Sequence, residues 1–353
     1  MGTESVEASF LSIFALISFF IYLITNKYSH KINYGVLLDI DFKKPQAFHD
    51  FAITRSGGLA AIISLSVFFI IYYLIYSKIL YEYIFISYSM FFVGLLDDLK
   101  FNIKPSKRLI LMIFLLITFI FTFNIKIMNI EIPFLNYFLK NNFFSGIFVL
   151  LCFLFVINGA NLIDGFNGLL SINLIIINVI LLYLNLSNGN LEFSFLLTSQ
   201  IIILLIFLLF NFPFAKIFLG DSGAYLMGSL VSLNIIITNN LNPNVSSFFF
   251  CTLLFYLFFE VFFSFFKKIL QKKSPFHPDN IHLHMLSYYK ISLIFGKSKG
   301  NFLNSIFINI VYLILVLPGL YFIESPLMSK CWFFILLIIY TIIYVRLYRL
   351  TKI

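Results

Sequence analysis

Apolar residues in this chain gather in long runs, separated by short polar segments. The runs fall near 8–25, 57–77, 79–96, 107–123, 143–157, 169–187, 195–212, 222–238, 245–266, 302–323 and 331–348. As helices rising about 1.5 Å per residue, runs of this size match a hydrocarbon layer roughly 30 Å thick. The pattern predicts an all-α polytopic membrane protein of about eleven transmembrane helices. No segment between runs exceeds about 35 residues, so residues 1–353 read as a single transmembrane domain. The first run has no basic flank before it and no small-residue cleavage site after it, so it reads as a retained helix, not a signal peptide.

Composition agrees. The chain is 61% hydrophobic and 11% charged, whereas soluble domains carry charge at about a quarter of their positions. Its charges are also sorted. With the amino terminus periplasmic and the carboxyl terminus cytoplasmic, 20 of the 24 lysines and arginines fall inside. Only Lys78, Lys126, Lys140 and Lys330 fall outside, which is the positive-inside asymmetry. The cytoplasmic loops are then about 26–56, 97–106, 158–168, 211–221 and 267–301. Because the basic residues are split among these loops, with no continuous soluble patch, nucleic acid is not an expected partner. Cys152, Cys251 and Cys331 lie far apart, without the spacing of metal or redox sites. They read as small apolar fillers.

The acids add a second asymmetry. Every aspartate (39, 41, 50, 97, 98, 164, 221 and 279) falls on the cytoplasmic side, while six of the seven glutamates fall outside and Glu260 lies in the ninth run. The positive-inside effect says little about acids. Asp97 and Asp98 end FFVGLLDDLK, Asp164 follows NGANLI, and Asp221 opens DSGAYLMG. Carboxylates at membrane depth are costly and face a cavity or a partner. Four of them from three places predict one shared site. A hard cation such as Mg2+, with Mn2+ as a substitute, suits carboxylates combined with substrate phosphate oxygens.

Glycines accompany each acidic segment: Gly57 and Gly58, Gly94, Gly159, Gly165 and Gly168, Gly220 and Gly223. Such residues permit the close backbone approach that phosphate-cradling loops use. Gly228 reads instead as a helix-packing residue. The longest inside loop contains SPFHPDNIHLHM. A zinc site from His277, His282 and His284 lacks a well-spaced fourth ligand, so these histidines are expected on anionic phosphate. Glu260 is assigned no chemistry, only a pairing toward the interface or the bundle interior.

The ordered motifs ITRSGG (53–58), GLLDD (94–98), NGANLIDGFNGL (158–169), FLGDSGAYLMG (218–228) and SPFHPDNIHLHM (274–285) resemble those of the polyprenyl-phosphate N-acetylhexosamine-1-phosphate transferases. The resemblance implies a multi-pass enzyme of the bacterial inner membrane with its active site on the cytoplasmic face. It implies transfer of an N-acetylhexosamine 1-phosphate from a UDP-N-acetylamino sugar to undecaprenyl phosphate, releasing UMP, at the first membrane step of cell-envelope glycan synthesis. Surrounding lipids are partners by necessity. A homodimer is carried as an expectation, with no helix face to nominate for it.

By the same resemblance, Asp97, Asp98 and Asp164 are the expected catalytic residues, and Asp98 and Asp221 the expected metal ligands. Arg55, Asn161, Asn167, Phe218, His282 and His284 are the expected substrate-binding residues, Phe218 stacking on uracil and the histidines meeting pyrophosphate. The chain departs from the family pattern at Asn167 for a second aspartate, Met285 for a third histidine and Thr54 for a proline. Two other readings compete: a transporter, and a catalytically altered lipid-phosphate-binding relative. Transporters place charges near the bilayer midplane and show repeated halves, whereas this chain collects its acids at one face and shows no convincing repeat.

Overall fold

The computed structural model describes residues 3–29, 37–39, 52–101, 103–270, 272 and 281–351, the side chains of 3–6 and 270 excepted. The expected positions Asp41, Asp50, His277 and Asp279 lie outside these residues. Helices dominate: α1 (Thr3–Ser29), α2 (Gly57–Tyr76), α3 (Tyr81–Asp98), α4 (Pro105–Thr122), α5 (Pro133–Leu139), α6 (Asn142–Ile163) and α7 (Leu169–Ser187). They continue with α8 (Leu191–Asn211), α9 (Gly220–Leu241), α10 (Ser247–Leu253), α11 (Phe255–Leu270), α12 (Leu283–Phe295), α13 (Lys297–Val316) and α14 (Pro326–Thr351).

Among the described residues, nine helices are long and apolar enough to cross a membrane, or ten if α10 and α11, bent by 71°, form one span. The helix α3 is 18 residues long and carries Glu82, Asp97 and Asp98 at its two ends. It fills the eleventh of the predicted places, its apolar part ending before the two aspartates. Each predicted run therefore coincides with a helix or with the bent pair. The short helices α5 and α12 were not expected, because neither has an apolar run of spanning length.

Local chemistry sets several helix ends. Proline opens α4 and α5, where its missing N–H costs nothing. The Asn141 side chain accepts from the N–H groups of Phe143 and Phe144 and so caps α6. Apolar side chains on the outer faces, such as Ile70, Leu74, Phe114, Leu209 and Ile338, are more than half exposed, as a lipid solvent allows.

The most buried candidate span is α9. Midway along it, Asn234 donates to Asn178 of α7 (3.0 Å) and Gln200 of α8 (2.7 Å) and accepts from Tyr83 of α3 (2.8 Å). An unpaired amide in hydrocarbon costs several kcal/mol, so this network fixes the register of four helices. Gly228 packs α9 on α6, where an added Cβ would stand 3.0 Å from Ala160 Cβ, in keeping with its expected packing role.

The amino end of α9 is the point on which the site is built. A Cβ at Gly94 of α3 would lie 2.4 Å from the Asp221 carbonyl oxygen, so only a glycine lets these backbones approach. A two-stranded antiparallel ribbon, β1 (Leu38–Asp39) and β2 (Ile53–Thr54), pairs Asp39 with Ile53. The chain before α9 joins it through Phe218 N–H to Thr54 O (2.8 Å), while Gly57 N–H bonds Phe218 O (2.9 Å) and Gly58 N–H bonds Leu219 O (2.9 Å). Two loops distant in sequence are thus stitched together by backbone groups that would otherwise go unpaired.

Candidate active site

Asp98 is 1% exposed. Its two oxygens accept the backbone N–H groups of Asp221 (3.1 Å) and Ser222 (2.9 Å), and Arg55 approaches at 3.5 Å. A carboxylate on α3 thereby satisfies the free donors at the start of α9 and meets the positive end of its dipole. Gly220, at φ +75°, carries the chain past this carboxylate, and an added Cβ would stand 2.6 Å from an Asp98 oxygen.

The neighbouring Asp97 faces elsewhere. One guanidinium nitrogen of Arg108, on the first turn of α4, lies 2.7 Å from Asp97 and 2.8 Å from Asp221. Asn161 donates to the other oxygen of Asp221 at 3.0 Å. The Arg108 guanidinium also lies over the Tyr225 ring at 5.7 Å, a cation–π contact. On the opposite flank, Arg55 donates to Asp39 at 2.7 and 3.2 Å, so its cation is held between Asp39 and Asp98.

This concentration of like charge has a cost. Burial first, and then Asp221, pushes Asp97 up to about 6. Burial and the Asp221 charge push Asp98 up to about 7, against the pull of Arg55. Asp164, at the carboxyl end of α6, is raised well above the usual carboxylate range by burial and then by Asp221 and Asp98. Arg55 is stabilised as a cation, because Asp98, Asp221 and Asp39 outweigh its own burial. The two arginines therefore neutralise only part of the acidic cluster.

A pocket opens beside the cluster, lined by Asp39, Arg55, Asn161, Asp164, Gly165, Phe166, Asn167, Asn211, Phe218, Gly220, Asp221 and Asn301. Six of the residues nominated from sequence (Arg55, Asn161, Asp164, Asn167, Phe218 and Asp221) meet on its wall. The loop carrying Asn167 is braced: its N–H bonds Asn301 Oδ1 (2.8 Å), its side-chain amide bonds Pro213 O (2.9 Å), and Gly168 N–H bonds Asn211 Oδ1 (2.7 Å). Asn167 thus spends part of its amide on the loop itself.

His282 and His284 are not on that wall. They are 2% and 0% exposed, and the His284 ring meets Phe166, a wall residue, edge to face at 5.7 Å between centroids. Burial pulls His284 below the usual histidine range.

Arg108, Asp39, Asn211 and Asn301 belong to the site but were not nominated. In the sequence Arg108 is one of the 20 inside basic residues and nothing more. The one signal that singles it out is an arginine on the same face as Leu111, Met112 and Leu115, at the mouth of an apolar helix. Nothing local marks Asn211 or Asn301.

The donor set fits a hard divalent cation. Asp97 and Asp221 converge on one positively charged nitrogen, and their surplus negative charge is of the kind such an ion relieves. Among the described residues no group of three or more His, Cys, Asp or Glu closes on a point.

Residues 80–239 match the glycosyl transferase family 4 profile, a stretch running from the start of α3 through α9. The chain is similar to an undecaprenyl-phosphate alpha-N-acetylglucosaminyl 1-phosphate transferase of Thermotoga maritima, 28% identical over 81% of this chain and 82% of that one. A phospho-N-acetylmuramoyl-pentapeptide-transferase of Clostridium perfringens is 34% identical over 40% of this chain and 47% of its own length. A putative UDP-N-acetylglucosamine–dolichyl-phosphate N-acetylglucosaminephosphotransferase of Sulfolobus acidocaldarius is 35% identical over 40% and 43%. The last two cover less than half of the relatives concerned.

Proposed function

We propose that the chain is a polyprenyl-phosphate N-acetylhexosamine-1-phosphate transferase, which moves an N-acetylhexosamine 1-phosphate from a UDP-sugar onto undecaprenyl phosphate. The observation that carries this reading is the meeting of Asp97, Asp98, Asp164 and Asp221 with Arg55 and Arg108 beside one pocket. The Thermotoga maritima relative, an N-acetylglucosaminyl 1-phosphate transferase alike over four fifths of both chains, supports the hexosamine branch.

In the proposed reaction an oxygen of the lipid phosphate forms a bond to the sugar-bearing phosphorus of the donor. The bond from that phosphorus to the oxygen bridging toward the uridine phosphate breaks, and UMP leaves. Such phosphoryl transfer depends on alignment and charge neutralisation. Arg55 and Arg108 supply fixed positive charge for the phosphates. Asp97, the more exposed of the paired aspartates, is placed to orient the lipid phosphate or take its proton. Asp98 holds the backbone of Asp221 still by capping α9. Asn161, Asn167 and Phe218 receive the uridine.

Asp221 and Asp97 would hold Mg2+, which would neutralise phosphate charge in the transition state. The active site is assigned to the cytoplasmic face of a bacterial inner membrane because the lysine-rich segments share its end of the bundle. The opposite end is closed by Tyr76 on Glu7 and by Lys78 and Tyr72 on Glu192.

The test is incubation of detergent-purified protein with undecaprenyl phosphate, Mg2+ and a panel of UDP-sugars, with release of UMP as the readout. Magnesium-dependent UMP release with one UDP-N-acetylamino sugar is expected. No release with any donor, together with uptake activity in vesicles, would establish the transporter reading instead.

A further inference from the structure

Glu260 is a carboxylate the proposed chemistry does not use. It lies on α11 just past the 71° bend and is 1% exposed. Its Oε2 stands 3.0 Å from Nδ1 of His282, its Oε1 accepts the N–H of Leu283 at 3.2 Å, and the same oxygen stands 3.7 Å from Nδ1 of His284. One buried carboxylate therefore receives the first residues of α12 from three directions. The two imidazoles lie parallel, 2° between planes and 5.4 Å between centroids. Tyr256, one turn earlier on α11, places its hydroxyl 3.3 Å from the His284 Nδ1. Tyr340 of α14 also faces Glu260. Lys267, two turns on, is bonded to the Ile281 carbonyl at 3.1 Å and to Tyr344 at 3.4 Å.

A carboxylate in this position is too costly to be idle. What it fixes is the orientation of the His284 ring, whose Nδ1 side is taken by Glu260 and Tyr256. The ring's edge-to-face contact is with Phe166, and Phe166 lines the pocket between Asp164 and Asn167. Tyr288, one turn along α12, holds the same phenyl ring at 5.0 Å. The path from Glu260 to the pocket is one imidazole and one phenyl ring long.

We infer that Glu260 is a positioning residue for the nucleotide-sugar pocket, acting through His284 on the Phe166 wall and taking no part in the transfer itself. This rests on the transferase reading given above. It assigns to the acid on α11, and to the histidine pair, the shape of the donor site and not the chemistry at phosphorus. Glu260→Gln keeps the size and one acceptor but loses the other charged oxygen, so it cannot serve both His282, on Oε2, and the pair Leu283 and His284, on Oε1.

The experiment measures UMP release against UDP-sugar concentration for the wild type, Glu260→Gln, Phe166→Ala and the double variant, with saturating undecaprenyl phosphate and Mg2+. Glu260→Gln is expected to raise the donor KM about tenfold while kcat stays within about twofold, the signature of lost uniform binding. The double variant is expected to be no worse than Phe166→Ala alone, since residues acting in series are not additive. Tyr256→Phe, which removes only the outer contact of His284, is the milder variant should Glu260→Gln fail to fold. It is expected to raise the donor KM about threefold with kcat unchanged. A fall in kcat at unchanged donor KM, or multiplying effects of Glu260→Gln and Phe166→Ala, would overturn the inference. Absence of UMP release by the wild type would instead refute the transferase reading.

Discussion

Asp98 accepts the backbone N–H of Ser222 at 2.9 Å across the interface of α3 and α9. The same carboxylate takes the N–H of Asp221. Two aspartates 123 residues apart are thereby locked together, one presenting its side chain to the other's backbone. The Asp221 carboxylate is left pointing the opposite way, at Arg108 and Asn161. Adjacent aspartates in GLLDD consequently meet different partners: Asp98 caps α9 and Asp97 pairs with Arg108.

This division separates two variants. Asp221→Asn is expected to lower turnover about 100-fold or more with only a small change in thermal midpoint, since the amide still offers Asn161 an acceptor and Arg108 keeps its pair with Asp97. Asp98→Asn is expected to lose comparable activity and also to lower the midpoint by several degrees, as hydrogen bonds to a charged group contribute about 1.5–3 kcal/mol. Thermal unfolding beside UMP release distinguishes them. Equal midpoints would contradict the capping role.

Gly94 permits no side chain. Gly94→Ala would place a methyl 2.4 Å from the Asp221 carbonyl oxygen, and the obstacle is backbone that cannot rotate aside. Separation of α3 from α9 is expected, with a cost of roughly 1–3 kcal/mol or more and activity reduced in step. A variant with native midpoint and native turnover would show that the interface tolerates what its geometry forbids.

Arg108 answers two carboxylates at once. Arg108→Ala is expected to reduce turnover about 100-fold, because charge-assisted pairs in a partly buried site contribute most. Arg108→Lys, a point charge without the planar fork, is expected to recover part of the loss. The comparison is made by kcat at saturating donor and acceptor.

Proton and metal should compete. Asp97, proposed to hold the ion and raised to about 6, keeps its proton where an ordinary carboxylate has released it, and Asp98 beside it is raised to about 7. The Mg2+ concentration giving half-maximal activity is therefore expected to rise as pH falls from about 8 to about 6. In the metal-free protein the sign for stability follows from the same shift. A folded-state pKa above the unfolded value of 3.8 means the native state binds more protons between the two. Its contribution to stability is greatest in acid and is lost as pH rises through about 7. Thermal midpoints in chelator across this range, with and without restored Mg2+, check both expectations.

Much of this protein was legible along the chain, because the bilayer imposes its demands locally. A span must be a run of apolar residues long enough to cross, and each of the eleven runs became a helix or a bent pair. The acids at 97, 98, 164 and 221, and the motifs around them, pointed to one site, since a carboxylate at membrane depth needs a local reason. What tertiary structure alone decided is which partner each side chain meets. Which of Asp97 and Asp98 caps α9 and which meets Arg108 depends on about 100° of rotation around α3 and on the approach of α9, and neighbours in sequence carry no record of it. Arg108, Asn211 and Asn301 look like ordinary residues of their segments, and joined the site only when distant helices closed around them. Hydrophobic runs are a property of the chain and the lipid. The pairing of charges is a property of distances, and those exist only once the bundle has packed.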